Sequence, residues 1–200
     1  GDTSAYTRSV PGFLDDYAYS TLALLSLYEA SGSSVYLERA KTTCQEAMAQ
    51  FADEHGGYYL YGDNHDALIS KPKESYDGAL PSGNSILALC FVRLSQLTQD
   101  PLYTQAAEKQ LAFLSKQSAH YPAGYSVFLT ALLCYTNPPE QITVVLSSKD
   151  SASQILPLLP LYASLTVLEH ETGGYKLLNG KTTYYVCKNH TCLPPVNDLK

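Results

Sequence analysis

"SGNSILALCFVRLSQL", residues 82–97, is apolar or small on nearly every side. A helix built from it has no wet face and must be covered from more than one direction. The stretch that follows reads differently. From Pro101 onward, Tyr103, Ala107, Leu111 and Leu114 form one stripe against Gln105, Glu108, Lys109 and Lys116. Pro101 suits the first turn of this helix, with Asp100 as its N-cap.

The same pair of patterns occurs upstream. "FLDDYAYSTLALLSLYEA" (13–30) is apolar or small almost all round from Tyr17 to Tyr28 and stops at Ser31-Gly32. From Val35 to Phe51, Leu37, Ala40, Cys44, Ala47, Met48 and Phe51 form a single stripe opposite Glu38, Arg39, Lys41, Gln45 and Glu46. Shifting the chain on itself by 67 positions superposes Tyr36 on Tyr103, Ala40 on Ala107, Leu22 on Leu89 and Leu27 on Leu94. A third helix of the buried kind follows at "YSVFLTALLCY" (125–135). Inner apolar helices alternating with outer amphipathic ones predict a two-layered α/α array.

After Pro138-Pro139 the pattern changes. "QITVVLS", "SLTVLEH" and "TTYYVC" read as short buried strands, with "SASQILPLLPLY" as a Pro-limited helix between the first two. Strand, helix, strand predicts a small parallel βαβ appendage over 138–200, set on a helical part over 1–137. "GGYYLYGD" also interrupts the helical pattern, and the segment 56–72 is expected to form an inserted β-hairpin.

With 45% hydrophobic residues in 200, the chain has the material for one sizeable core. A formal charge of −6, with 13 Lys plus Arg and no basic run, argues against nucleic acid and anionic membrane surfaces as partners. No apolar stretch is long enough to cross a bilayer, and "GDTSAYTRSVPG" lacks the regions of a signal peptide, so a cytoplasmic location is expected. Cys44, Cys90 and Cys134 fall in helical patterns and read as reduced core residues. Cys187 and Cys192 flank His190 in a Pro-bounded segment and read as a structural or redox pair, since three ligands on so short a loop make a poor zinc site. No metal or other cofactor is expected; the loop of Ser147, Ser148, Asp150 and Ser151 lacks the Gly-rich turn of a nucleotide site.

Taken in order, "LDDYA", "KPKESYDGALPSGNS" and "YVCKNHTCLPPVND" resemble the C-terminal region of the thioredoxin-domain-containing family that includes spermatogenesis-associated protein 20. The resemblance implies a partial α/α toroid of the six-hairpin kind, similar to N-acylglucosamine 2-epimerases and six-hairpin glycosidases. It implies about half of the barrel, and the remainder of a parent protein, with its thioredoxin-like domain, as a partner. In such a toroid the N-terminal ends of the inner helices open at one mouth, where a carbohydrate-like small molecule is the expected ligand. The alternative is a non-catalytic scaffold that positions the thioredoxin-like domain on partner proteins.

The shift of 67 places Asp15-Asp16-Tyr17 on Ser82-Gly83-Asn84, giving two polar triplets at corresponding helix starts. Helix capping accounts for one residue of each, with Asp15 or Asp16 and Ser82 as caps, and leaves the others as candidate ligand-binding groups. Asp77 before Gly78 either makes an Asx turn or pairs with Asp16 as the two catalytic carboxylates of sugar chemistry. Lys73 and Glu74 either pair with each other or orient a hydroxyl-rich ligand. Seventeen Tyr and no Trp is a skewed aromatic usage, and Tyr58, Tyr59, Tyr61 and Tyr76 gather in the loops expected at the mouth. His65, among Asp63, Asn64 and Asp66, is the candidate base of an epimerase-like reaction or a solvated loop histidine.

Overall fold

In the computed structural model the described residues are 12–62, 71–159, 163–188 and 191–199. The helices are α1 (Leu14–Ser31), α2 (Ser34–Phe51), α3 (Gly83–Thr98), α4 (Pro101–Ser118), α5 (Ser126–Thr136) and the short α6 (Ala152–Ile155). The strands are β1 (Gln141–Val145), β2 (Ser164–Leu168), β3 (Thr183–Lys188) and β4 (Thr191–Cys192). None of the described helices is long and apolar enough to cross a membrane.

The inner layer is α1, α3 and α5, with α3 packed between the other two and α2 and α4 outside. Burial follows composition. Ten residues of α3 are buried, including Leu87, Ala88, Cys90, Phe91 and Leu94, whereas α4 buries one face through Tyr103, Ala107, Gln110, Leu111, Leu114 and Ser118. Stops and caps match the local chemistry: Gly32 ends α1 with φ 68°, and the Asp100 carboxylate accepts from the Leu102 N–H at the start of α4.

The inner helices run parallel. Gly83, at the start of α3, packs against Leu14 and Asp15 at the start of α1. At the opposite ends Arg93 pairs with Glu29, and the Gln96 side chain donates to the Cys134 carbonyl, 3.0 Å away. All three N-terminal ends therefore share one face. The edges of the layer are open: Leu27 on α1 is 46% exposed and Leu133 on α5 is 61% exposed. The expectation that each apolar helix is covered on both sides holds for α3; α1 and α5 each leave a flank uncovered.

The sheet has the order β2-β1-β3-β4. β1 and β2 are parallel, with Gln141 opposite Ser164, and β3 runs antiparallel to β1, with Thr143 opposite Tyr185. The connection between β1 and β2 is a single helical turn and a 3-10 turn rather than one long helix. Pro157 has no N–H with which to continue the ladder. Ile142, Val144, Leu146, Leu159, Leu165, Val167 and Tyr184 form this unit's own cluster. It meets the helices where the Val167 N–H donates to the Tyr28 hydroxyl at 3.3 Å and where Gly32 lies against Ala152 and Val167. Cys187 and Cys192 are opposite each other on β3 and β4 and joined by a disulfide. Cys44, Cys90 and Cys134 are free.

The expected hairpin at 56–72 does not form among the described residues of that segment, where an isolated bridge joins Ala52 to Tyr58. Gly56 and Gly57, with φ of 97° and 76°, turn the chain back beneath Phe113. The aromatic run is used for packing, with the Tyr58 ring 5.7 Å from that of Phe91. Leu60 then bridges two segments, its carbonyl accepting from the Leu14 N–H and its N–H donating to Pro72.

The two open flanks expose apolar side chains, Leu27 on α1 and Leu129 and Leu133 on α5. Light scattering of the 200-residue chain is expected to show a species larger than one chain, which Leu27→Glu or Leu133→Glu returns toward monomer. A wild-type monomer at high concentration is the contrary result.

Candidate functional site

The polar segment entering α3 is divided by a period of two. Lys73, Ser75 and Asp77 are partly buried, while Glu74, Tyr76 and Gly78 are exposed. That alternation is what an extended strand lying on a protein surface gives. Inward residues hold the fold together, and outward residues face the shared mouth of the inner helices.

Lys73 forms an ion pair with Asp53, donates to the Gly56 carbonyl at 2.8 Å and lies over the Tyr59 and Phe113 rings. Its expected pairing with Glu74 is replaced by this inward one, because the alternation points the two side chains apart. The Asp53 carboxylate also accepts from the His55 N–H and the Tyr59 hydroxyl. Lys73 first, then those two donors, holds the Asp53 carboxyl well below the usual carboxylate range.

Asp77 uses both oxygens on helix starts. Oδ1 accepts from the Ser82 N–H at 3.0 Å and lies 3.3 Å from the Ser82 hydroxyl, and Oδ2 accepts from the Val127 N–H at 2.8 Å. The Asp77 N–H donates to the Gly124 carbonyl at 2.8 Å. Ser82 caps α3, its hydroxyl oxygen accepting from the Ser85 N–H. Asp77 therefore stands as a clamp between α3 and α5, and both the expected Asx turn and a pairing with Asp16 give way to longer-range bonds.

Asn84 is fully buried. Its amide donates to the Tyr58 and Glu74 carbonyls and accepts from the Tyr58 N–H and the Gln110 side chain. One side chain thus joins the 58 loop, the strand at 74 and α4. Gln110 Oε1 is buried without a partner among the described residues.

The triplets matched by the 67-residue shift do not occupy corresponding cap positions. α1 begins at Leu14, before its triplet, and α3 begins at Gly83, inside its triplet. Instead the triplets meet. The Asp15 carboxylate lies against the Gly83 backbone, and a Cβ at Gly83 would collide with Asp15 Oδ1 and Leu14. Burial first, then the charges of Glu74 and Asp16, raises the Asp15 carboxyl. The Tyr19 hydroxyl donates to the Pro81 carbonyl beside it. Asp16 turns away and accepts from the Phe13 N–H at 2.8 Å. It lines a cleft of about 600 Å³ along the open flank of α1 with Tyr17, Leu24, Leu27 and Arg39. The Tyr17 hydroxyl accepts from Gln50, and its ring meets the Phe51 ring edge-on.

Tyr76 stands between α3 and α5. Its ring centroid is 6.5 Å from that of Tyr121 at 11° between planes, and 6.1 Å from that of Tyr125 at 83°. Of the loop tyrosines, Tyr58 and Tyr61 are buried. His65 lies outside the described residues. The structure thus brings Asp15, Glu74, Tyr76, Asp77, Ser82 and Asn84 to one face and directs Asp16 and Tyr17 to another.

Residues 17–152 match Glycosyl hydrolase family 47. The chain belongs to that family. The match runs from the fourth residue of α1 through β1, so it covers all of the α/α array except Leu14, Asp15 and Asp16, and the fold is a partial α/α toroid with a small appended sheet. The chain is also similar to spermatogenesis-associated protein 20 of Homo sapiens, 28% identical over 94% of this chain and 26% of the relative, and to its Rattus norvegicus counterpart at 27% over the same shares. An uncharacterised protein of Caenorhabditis elegans is 27% identical over 54% of this chain and 15% of its own length. The chain spans about a quarter of the length of the mammalian relatives.

Sequence reasoning missed Tyr121 and Asp53. Tyr121 precedes Gly124 just before α5, as Tyr76 precedes Gly78 shortly before α3, and that parallel was the available signal. Asp53 lies three residues before the Gly56-Gly57 turn that a turn-stabilising acid would serve.

Replacing Asn84 with Ala leaves several buried backbone groups without partners, and chemical denaturation is expected to show a loss of about 2–4 kcal/mol. A lowered carboxyl stabilises the fold above its unfolded pKa and stops doing so as pH falls through the folded value. Asp53→Asn should therefore flatten the fall of melting temperature below about pH 4 relative to wild type. Parallel wild-type and variant curves there would contradict the Lys73–Asp53 account.

Proposed function

We propose that the face formed by the N-terminal ends of α1, α3 and α5 binds a carbohydrate-like small molecule and acts on it through a pair of carboxyl groups. The single observation that carries this reading is Asp15: a half-buried carboxyl, packed against Gly83 at the start of α3 and raised by burial and by Glu74. A carboxyl with its proton held more tightly is suited to serve as a general acid, and a second, exposed carboxylate is suited to stabilise charge or activate water. Glu74 takes the second role. Membership of a glycosyl hydrolase family supports the sugar as substrate class.

The two carboxylates singled out from the sequence separate here. Asp77 serves by positioning α3 and α5, since both its oxygens accept backbone N–H groups. Asp16 contributes as a negative charge beside Asp15.

The scaffold reading draws on a different observation. Lys73, Asp77, Ser82 and Asn84 are all engaged internally, so much of the segment's polarity has a structural purpose and no ligand is needed to explain it. Saturation-transfer NMR of the 200-residue chain with glucose, mannose, N-acetylglucosamine and their α- and β-linked disaccharides separates the two. The sugar reading expects binding to at least one, with a loss of roughly tenfold or more in Asp15→Asn and Glu74→Gln. Cleavage of a bound disaccharide is expected to fall as pH rises through the raised pKa of Asp15. Absence of binding across the panel overturns the sugar reading in favour of the scaffold.

A further inference from the structure

We infer that Tyr76 and Tyr121 form an aromatic subsite that takes the apolar face of a second sugar ring, so that the ligand is at least a disaccharide. The inference rests on the sugar reading above and adds a subsite to it. Tyr76 is 55% exposed and Tyr121 59% exposed, and neither hydroxyl has a hydrogen-bond partner among the described residues. Two large aromatic side chains at one face are thus held in near-parallel planes while most of their surface meets water.

The pair is fixed from beneath. Tyr125 is 9% exposed and presents its ring to Tyr76 at 83°. A Cβ on Gly124 would strike both the Tyr76 and Tyr121 rings, so the absence of a side chain there lets them approach. The Asp77 N–H to Gly124 carbonyl bond then ties the strand bearing Tyr76 to the turn that follows Tyr121. Rings ordered in advance lose little freedom when a ligand stacks on them. A tyrosine offers an apolar face and a polar tip, which matches the C–H face and hydroxyl rim of a pyranose.

Placement gives the subsite its role. Glu74 and Tyr76 are both on the exposed side of the same extended segment, two residues and therefore about 7 Å apart along the chain. That is on the order of one sugar ring. A ring at Asp15 and Glu74 would place its neighbour against the tyrosines.

The test compares affinities of wild type, Tyr121→Ala, Tyr121→Phe and Gly124→Ala for the monosaccharides and disaccharides named above. Disaccharide binding in Tyr121→Ala should weaken by roughly 3- to 10-fold relative to monosaccharide binding. Tyr121→Phe keeps the ring face and should behave as wild type. Gly124→Ala, which forces the rings apart, should resemble Tyr121→Ala. If wild type binds sugars but Tyr121→Ala leaves the disaccharide-to-monosaccharide ratio unchanged, the subsite is overturned and the mouth reading stands. If Tyr121→Ala weakens both ligands equally, the ring serves the first sugar and the second subsite is likewise overturned. If wild type binds no sugar, both fall together.

Discussion

One carboxylate sets the geometry of the mouth. The first N–H groups of a helix have no partner within it, and Asp77 supplies partners to two helices at once, through Ser82 for α3 and Val127 for α5. The contact spans 50 residues of sequence, which makes it a tertiary tie as well as a cap. With the two N-terminal ends fixed to one side chain, the turn at Gly124 and the rings that pack on it have one place to be. Asn84 does the same on the other side of α3, where its amide reads the loop at 58, the strand at 74 and α4 together.

The consequence for chemistry is a division of labour between chain neighbours. Lys73 and Asp77 face inward and are neutralised by Asp53 and by backbone donors, while Glu74 and Tyr76 face outward. Adjacent residues of a polar motif therefore have opposite roles, one set giving rigidity and the other set carried by it. Rigid support is what a binding group needs if its geometry is to be kept when the ligand arrives.

Helix existence and layer were legible because they depend on local periodicity. "SGNSILALCFVRLSQL" can be buried all round only at the centre of an array, and α3 is central. The roles of single polar residues were less legible because they depend on partners far away. Asp77 looks like a turn residue until Val127 is beside it, and Lys73 looks like a surface charge until Asp53 is. The aromatic run after Gly57 has the composition of a strand, but Gly56 and Gly57 turn beneath Phe113 and the Tyr58 ring packs on Phe91 instead. The triplet match misled for a geometric reason: the shift aligned the outer helices at Ser34 and Pro101, while the inner ones start 69 residues apart, at Leu14 and Gly83.

The parallel run of α1, α3 and α5 has an electrostatic consequence. Each helix carries a macrodipole equivalent to about half a positive charge at its N-terminal end, so three aligned ends contribute on the order of +1.5 at the mouth. Asp15, Glu74 and Asp77 sit on that face, and the helix ends offset about half of their combined negative charge. An acidic patch in the side-chain inventory is thus partly balanced by backbone charge, which lowers the cost of gathering three carboxylates at one mouth.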